Sequence, residues 1–199
     1  IEGFTIKNQN YLRAPEKRTY WVALEGNAIT FRKNRVFADG DPFYNIYTLN
    51  ATSRGIVVAG RNITVEDCSF HGFGLDNQIV AISTVGQPTW NWIVRRHLIV
   101  GAGTGMYFGN STGDSPFVNG LIEHNVVRDC IGYCIQVKHQ VVWDNVPVGM
   151  PTGKTTTIIR HNVFAKAGNS ATGALARPNL LVGDVPPSGA GSNNGFAIY

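Results

Sequence analysis

One motif recurs six times along the chain and restricts its fold more than any other feature. Alternating apolar residues lead into two polar or charged residues and then a small polar one. The units read Phe4-Thr-Ile-Lys-Asn-Gln, Ile29-Thr-Phe-Arg-Lys-Asn, Ile63-Thr-Val-Glu-Asp-Cys, Trp92-Ile-Val-Arg-Arg-His, Gly120-Leu-Ile-Glu-His-Asn and Thr157-Ile-Ile-Arg-His-Asn. Their closing residues are Gln9, Asn34, Cys68, His97, Asn125 and Asn162, spaced 25 to 37 residues apart. A second apolar strand follows each unit: Trp21-Val-Ala-Leu, Ile46-Tyr-Thr-Leu, Val80-Ala-Ile-Ser, Met106-Tyr-Phe-Gly, Ile135-Gln-Val-Lys and Leu180-Leu-Val-Gly, with Phe196-Ala-Ile-Tyr closing the chain. Repeated strands joined by loops of varying length predict stacked coils, each burying its inward face against its neighbours.

The alternation has a period of two, with no sustained helical spacing. Only 15% of residues are charged and 23 are glycine, which suits strands and turns better than a helical bundle. Stacking places equivalent residues about 4.8 Å apart, so columns of side chains can be read directly. The first outward column reads Lys7, Arg32, Glu66, Arg95, Glu123, Arg160 and alternates in sign from Arg32 onward. Opposite charges on adjacent rungs are favourable, and charge played no part in the alignment. The next column reads Asn8, Lys33, Asp67, Arg96, His124, His161. The closing residues form an inward or turn column in which asparagine amides can link one rung to the next.

The clearest units are Leu121-Ile-Glu-His-Asn-Val-Val127 and Ile158-Ile-Arg-His-Asn-Val-Phe164. They resemble the apolar-x-apolar-x-x-Asn-x-apolar repeat of the pectate-lyase-like proteins, and the resemblance covers essentially the whole chain. It implies an all-β right-handed parallel β-helix of about six to seven coils, forming one domain over residues 1–199. That fold carries polysaccharide lyases, glycoside hydrolases, epimerases, tailspikes and adhesins, so it does not determine activity. Neither end shows a capping helix. The expectation is a segment of a longer solenoid, or ends that pack end to end or in a homo-oligomer.

In the resembling proteins, substrates lie along one outer face, flanked by long loops. Here the second strand is the candidate face, with outward columns Val22, Tyr47, Ala81, Tyr107, Gln136, Leu181, Ala197 and then Leu24 or Glu25, Asn50, Ser83, Gly109, Lys138, Gly183, Tyr199. Lys138 stands between two glycines, which leave room for a ligand. Lys138, His139 and Asp184 are the candidate catalytic residues. Tyr107, Asn110, Gln136, Trp143 and Arg177 are the candidate substrate contacts. On a uronic acid polymer the matching reaction is β-elimination. A base such as Lys138 removes the proton next to the carboxylate, cations stabilise the enolate-like charge, and His139 serves the leaving oxygen. Asp184 would hold Ca²⁺ or the lysine. Trp143 would stack on a sugar ring or cover the core. Lys138 and Arg160 fall on different strands, so the alignment assigns Arg160 to the charge ladder with Glu123.

The rival readings are a non-catalytic adhesin, tailspike or structural surface protein, and a glycoside hydrolase. A hydrolase needs two carboxylates facing one groove. Asp39, Asp41, Asp114 and Asp144 are available in loops, and no pair on adjacent strands is evident. Asp39-Gly-Asp41 fits a turn or a calcium loop. Gly101-Ala-Gly-Thr-Gly105 lacks the following helix and Lys-Ser/Thr of a phosphate loop. The net charge is +4, with no block of like charge, so no nucleic-acid partner is expected. No apolar run reaches transmembrane length. Cys68, Cys130 and Cys134 are too few for a disulfide scaffold, although Cys130 and Cys134 are close enough in sequence to bridge. The expected setting is secreted, periplasmic or cell-surface, with a polysaccharide as partner.

Overall fold

The computed structural model describes residues 1–7, 19–37, 53–72, 79–84, 87–138, 140–141, 146–183 and 193–199. Among these residues the protein is all-β, without an α-helix, and every strand pairing is parallel. Three open sheets share the chain. The chain visits them in rotation. Ile93–Arg95 of the first sheet leads to Leu98–Val100 of the second and Thr104–Phe108 of the third. Leu121–Glu123, Val126–Cys130 and Ile135–Val137 then pair with those strands in the same order. This rotation is compatible with the expected solenoid.

The strands are short because the chain turns between sheets. Between the first and second sheets the corner is a single residue in the left-handed region: Lys33, Asp67, Arg96, His124 and His161, with φ of 53 to 56°. A side chain there costs about 1–2 kcal/mol. Stacking offsets that cost, because each corner N–H reaches a carbonyl one rung on, as from Arg96 to Glu123 at 3.2 Å and from His161 to Tyr199 at 3.0 Å. The residue after each corner points inward. Asn34, Cys68, His97 and Asn125 are all buried. Asn125 and Asn162 form the expected amide ladder, with Asn125 Nδ2 donating to Asn162 Oδ1 at 2.9 Å.

A second asparagine ladder lies at the corner between the third and first sheets, on the outside. Asn62 donates to Asn27, Asn91 to Asn62 and Asn119 to Asn91, at 2.8 to 3.0 Å. The core fills the space inside the sheets. Val65, Val94, Ile122 and Ile159 stack in one inward column, and Val36, Phe70, Ile99 and Val127 stack in another. Trp92 meets Phe108 and Phe117 edge-on, and those two rings stack at 4.5 Å. Each fully buried side chain of this size contributes about 1.5–3 kcal/mol.

The charge ladder has the expected alignment from Arg32 onward. Arg95 meets Glu66 at 2.9 Å and Glu123 at 3.9 Å, and Arg160 meets Glu123 at 2.8 Å. The first rung is different. Lys7 pairs with Phe37 in the second sheet, and Glu2 is the residue opposite Arg32. The Phe4 unit is therefore the strand after the corner, and Gly3 (φ 81°) takes the corner position assigned to Asn8, which is outside the described residues. The true ladder alternates over its whole length, starting at Glu2. The last repeat also moves: Asn194–Ile198 pairs with Thr155–Arg160 in the first sheet, so Phe196-Ala-Ile-Tyr does not belong with the Lys138 strand. Apolar alternation is common to every sheet, so it cannot tell one sheet from another. Ile46–Leu49 is outside the described residues, and the third-sheet strand following the second unit is Ser53–Arg61, paired with Thr19–Asn27.

Candidate functional site: a cationic cleft on the third sheet

Ile135–Val137 lies between Thr104–Phe108 and Leu180–Val182 in the third sheet. Tyr107, Gln136 and Leu181 occupy consecutive rungs, as do Phe108, Val137 and Val182. Val137 is in the core, so its neighbour Gln136 faces outward. The Lys138 N–H donates to Phe108 O at 2.9 Å, and the Gly183 N–H donates to Val137 O at 3.0 Å. These two bonds set Gly109, Lys138 and Gly183 on successive rungs.

The two glycines are not equivalent. A Cβ at Gly109 would stand 3.1 Å from Lys138 Cβ on a backbone with φ of +89°, so the lysine stem occupies that space. A Cβ at Gly183 would meet nothing within 4 Å. Among the described residues the space beside the lysine is therefore filled at Gly109 and open at Gly183.

An open cleft of about 200 Å³ lies over this part of the sheet. Lys138, Gln136 and Tyr107 line it from one side. Thr104 lines it from the Tyr107 strand, Val80 from the strand paired with that one, and Tyr133 from the turn before Ile135. The loops add Ser111 and Arg177. Neither Lys138 nor Arg177 has a carboxylate within ion-pair distance among the described residues. Among the described residues Arg177 donates to the adjacent Ala176 carbonyl at 3.3 Å. Gln136 is 5% exposed. The cleft thus presents two cations, hydroxyls and an amide, with no carboxylate of its own among the described residues.

Of the expected site residues, the cleft unites Lys138, Gln136, Tyr107 and Arg177. Asn110 is not in its lining. Its Oδ1 accepts the N–H groups of Gly113 and Ser115 at 3.0 and 3.3 Å, and its Nδ2 donates to Asp114, so the side chain closes its own turn. His139, Trp143 and Asp184 are outside the described residues. The residue beside Tyr107 on the preceding rung is Ser83, not Ala81. A two-residue slip leaves apolar alternation unchanged, which is why the sequence pattern misplaced it. Ala197 and Tyr199 leave the columns with their strand, which lies in the first sheet.

Thr104, Ser111 and Tyr133 were not among the expected residues. Tyr133 precedes its strand, and its backbone carbonyl accepts the Gly105 N–H at 3.0 Å. An aromatic residue three positions before the outward Gln136 was the available signal. Among the described residues no group of three or more His, Cys, Asp or Glu side chains could hold a metal ion. The described lining consists of cations and neutral groups, which does not fit Ca²⁺. The expected calcium residues Asp39, Asp41 and Asp184 are outside the described residues.

No protein-family model, curated protein or solved structure matches this chain.

Proposed function

We propose that the cleft binds an acidic polysaccharide and that the protein is a polysaccharide lyase acting on a uronic-acid-containing chain. One observation carries the reading: Lys138 and Arg177 line a polar cleft without a carboxylate partner among the described residues. Two cations without a carboxylate partner among the described residues favour an anionic ligand. Tyrosines, hydroxyls and an amide beside them suit sugar rings, which present apolar faces and hydroxyl edges.

In this reading Arg177 pairs with the uronate carboxylate and Lys138 takes the C5 proton. The carboxylate gathers the charge as the C5–H bond breaks, the C4–O bond cleaves, and a proton returns to the leaving oxygen. The hydroxyls of Tyr107 and Tyr133, which line the cleft, are assigned that task. We further assign the fold as a right-handed parallel β-helix of six to seven coils. The rotation of the chain through three parallel sheets supports this, as does the strong preference of parallel crossovers for the right hand. The pectate-lyase-like resemblance and a secreted or cell-surface setting belong to the same proposal.

The test is incubation with a panel of uronic acid polymers, with and without Ca²⁺, while following ultraviolet absorbance of the unsaturated product. Product from at least one polymer is expected. Saturable binding with no product from any polymer would reduce the reading to a non-catalytic adhesin, and no binding at all would remove it.

A further inference from the structure

Cys130 ends one strand of the second sheet, and Cys134 directly precedes the Ile135–Val137 strand of the third. The segment between them, Ile131-Gly132-Tyr133, is the wall that carries Tyr133 into the cleft. Both sulfurs are buried and free. They meet in the same space. Cys130 is opposite Lys166 in the strand pairing, and Cys134 Sγ contacts the adjacent Ala165 carbonyl at 3.6 Å and Asn179 Oδ1 at 3.4 Å. Both side chains belong to the same buried core cluster. The Lys166 ammonium lies over this corner, donating to the carbonyls of Gly132 and Pro178.

We propose that Cys130 and Cys134 form a redox-active dithiol that closes to a disulfide and pins the Ile131–Tyr133 wall of the cleft. The third cysteine has another environment. Cys68 is buried, its Sγ donates to Glu66 O at 3.1 Å, and burial pushes its thiol up to about 11. The Cys130–Cys134 pair divides its roles. Cys134 is held below the usual thiol value, first by its interaction with the Cys130 thiol and also by Lys166, while Cys130 is raised. Cys134 is thus the attacking thiolate.

The chemistry balances with a small disulfide as oxidant. Cys134 Sγ attacks one sulfur of that disulfide, forming a mixed disulfide and releasing one small thiol. Cys130 loses its proton, attacks Cys134 Sγ and releases the second small thiol. The protein loses two protons and two electrons, and the oxidant gains them. Lys166, Pro178 and Asn179 lie over the pair, so oxidation proceeds as that cover opens.

The experiment treats the native protein with oxidised glutathione at about pH 8, alkylates the remaining thiols and maps the peptides. A Cys130–Cys134 cross-link with Cys68 alkylated is expected. The backbone amides of Ile131, Gly132 and Cys134, bonded to Ala102, Gly103 and Asn179, should exchange about tenfold more slowly in the oxidised protein. Cys134→Ser and Cys130→Ser should each abolish the cross-link, and Cys68→Ser should leave it intact. Three alkylated thiols in the native protein, where the urea-unfolded chain forms the link, would overturn the proposal. So would a bridge to Cys68, or unchanged exchange across residues 131–134. None of these readouts needs a cleft ligand, so failure of the polysaccharide reading leaves the result decisive.

Discussion

The Asn125 side-chain oxygen accepts the backbone N–H of His97 at 3.0 Å, and His97 performs the same service one rung back, its Nδ1 accepting the Cys68 N–H at 3.2 Å. The imidazole stands where an asparagine stands on the next two rungs. Its Nε2 donates to Val65 O at 3.0 Å, which completes the ring's hydrogen bonds in the neutral form. Burial lowers its pKa from 6.5 to about 4. The folded value is below the unfolded one. The stabilisation is therefore complete above about pH 6.5 and is lost as pH falls toward 4, by up to roughly 3 kcal/mol. Thermal melts of the wild type should drop across that window, while His97→Asn, which restores the amide, should stay flatter. Parallel curves would remove His97 from the acid sensitivity.

Much of this ladder could be read from the sequence, and the cleft could not. The alternation of Arg32, Glu66, Arg95, Glu123 and Arg160 gave the first-sheet alignment an independent check, because charge breaks the degeneracy of apolar repeats. The third sheet has no such marker. Val80-Ala-Ile-Ser fits two alignments equally well, and only strand pairing places Ser83 beside Tyr107. Lys138 between glycines was visible because glycines interrupt the pattern. Tyr133 and Ser111 were not, because their positions depend on turns whose course no periodicity encodes. The outer asparagine ladder from Asn27 to Asn119 was likewise hidden among turn residues.

Glu123 is the most deeply buried acid of the charge ladder. It is 6% exposed and lies between Arg95 and Arg160. Replacing it with Ala leaves two half-exposed guanidinium groups facing each other and should cost about 1–2 kcal/mol in urea unfolding. The effect should shrink in high salt. Glu2→Ala, at the exposed first rung, should leave the midpoint unchanged. Equal effects at both positions would show that burial does not rank these pairs.

Two glycines separate close packing from open surface. A Cβ at Gly60 would lie 1.9 Å from the backbone oxygen of Gly26, with φ at +118°. Backbone on the neighbouring rung cannot yield as a side chain can, so Gly60→Ala should destabilise by more than about 3 kcal/mol. A Cβ at Gly168 meets nothing within 4 Å. Gly168→Ala should change stability by less than about 1 kcal/mol, in the stabilising direction. Chemical denaturation of the pair checks both, and a tolerated Gly60→Ala would reject the pairing of Thr19–Asn27 with Ser53–Arg61.

Lys138 can act as a charge or as a base, and two substitutions separate these roles. Lys138→Met removes both, so oligouronate binding should weaken about tenfold, in line with one charge-assisted contact of 1.5–3 kcal/mol at its lower end, and turnover should vanish. Lys138→Arg keeps the positive charge in the cleft, but a guanidinium does not deprotonate in proteins. Binding should stay within about threefold of wild type while turnover stays absent, since Arg177 and the tyrosines still hold the sugar. The measurement is Kd by calorimetry alongside the initial rate of unsaturated-product formation. If Lys138→Arg turns over substrate, the lysine is a binding charge and the base lies elsewhere. If it loses binding as far as Lys138→Met does, the fit of the lysine stem against Gly109 matters more than its charge.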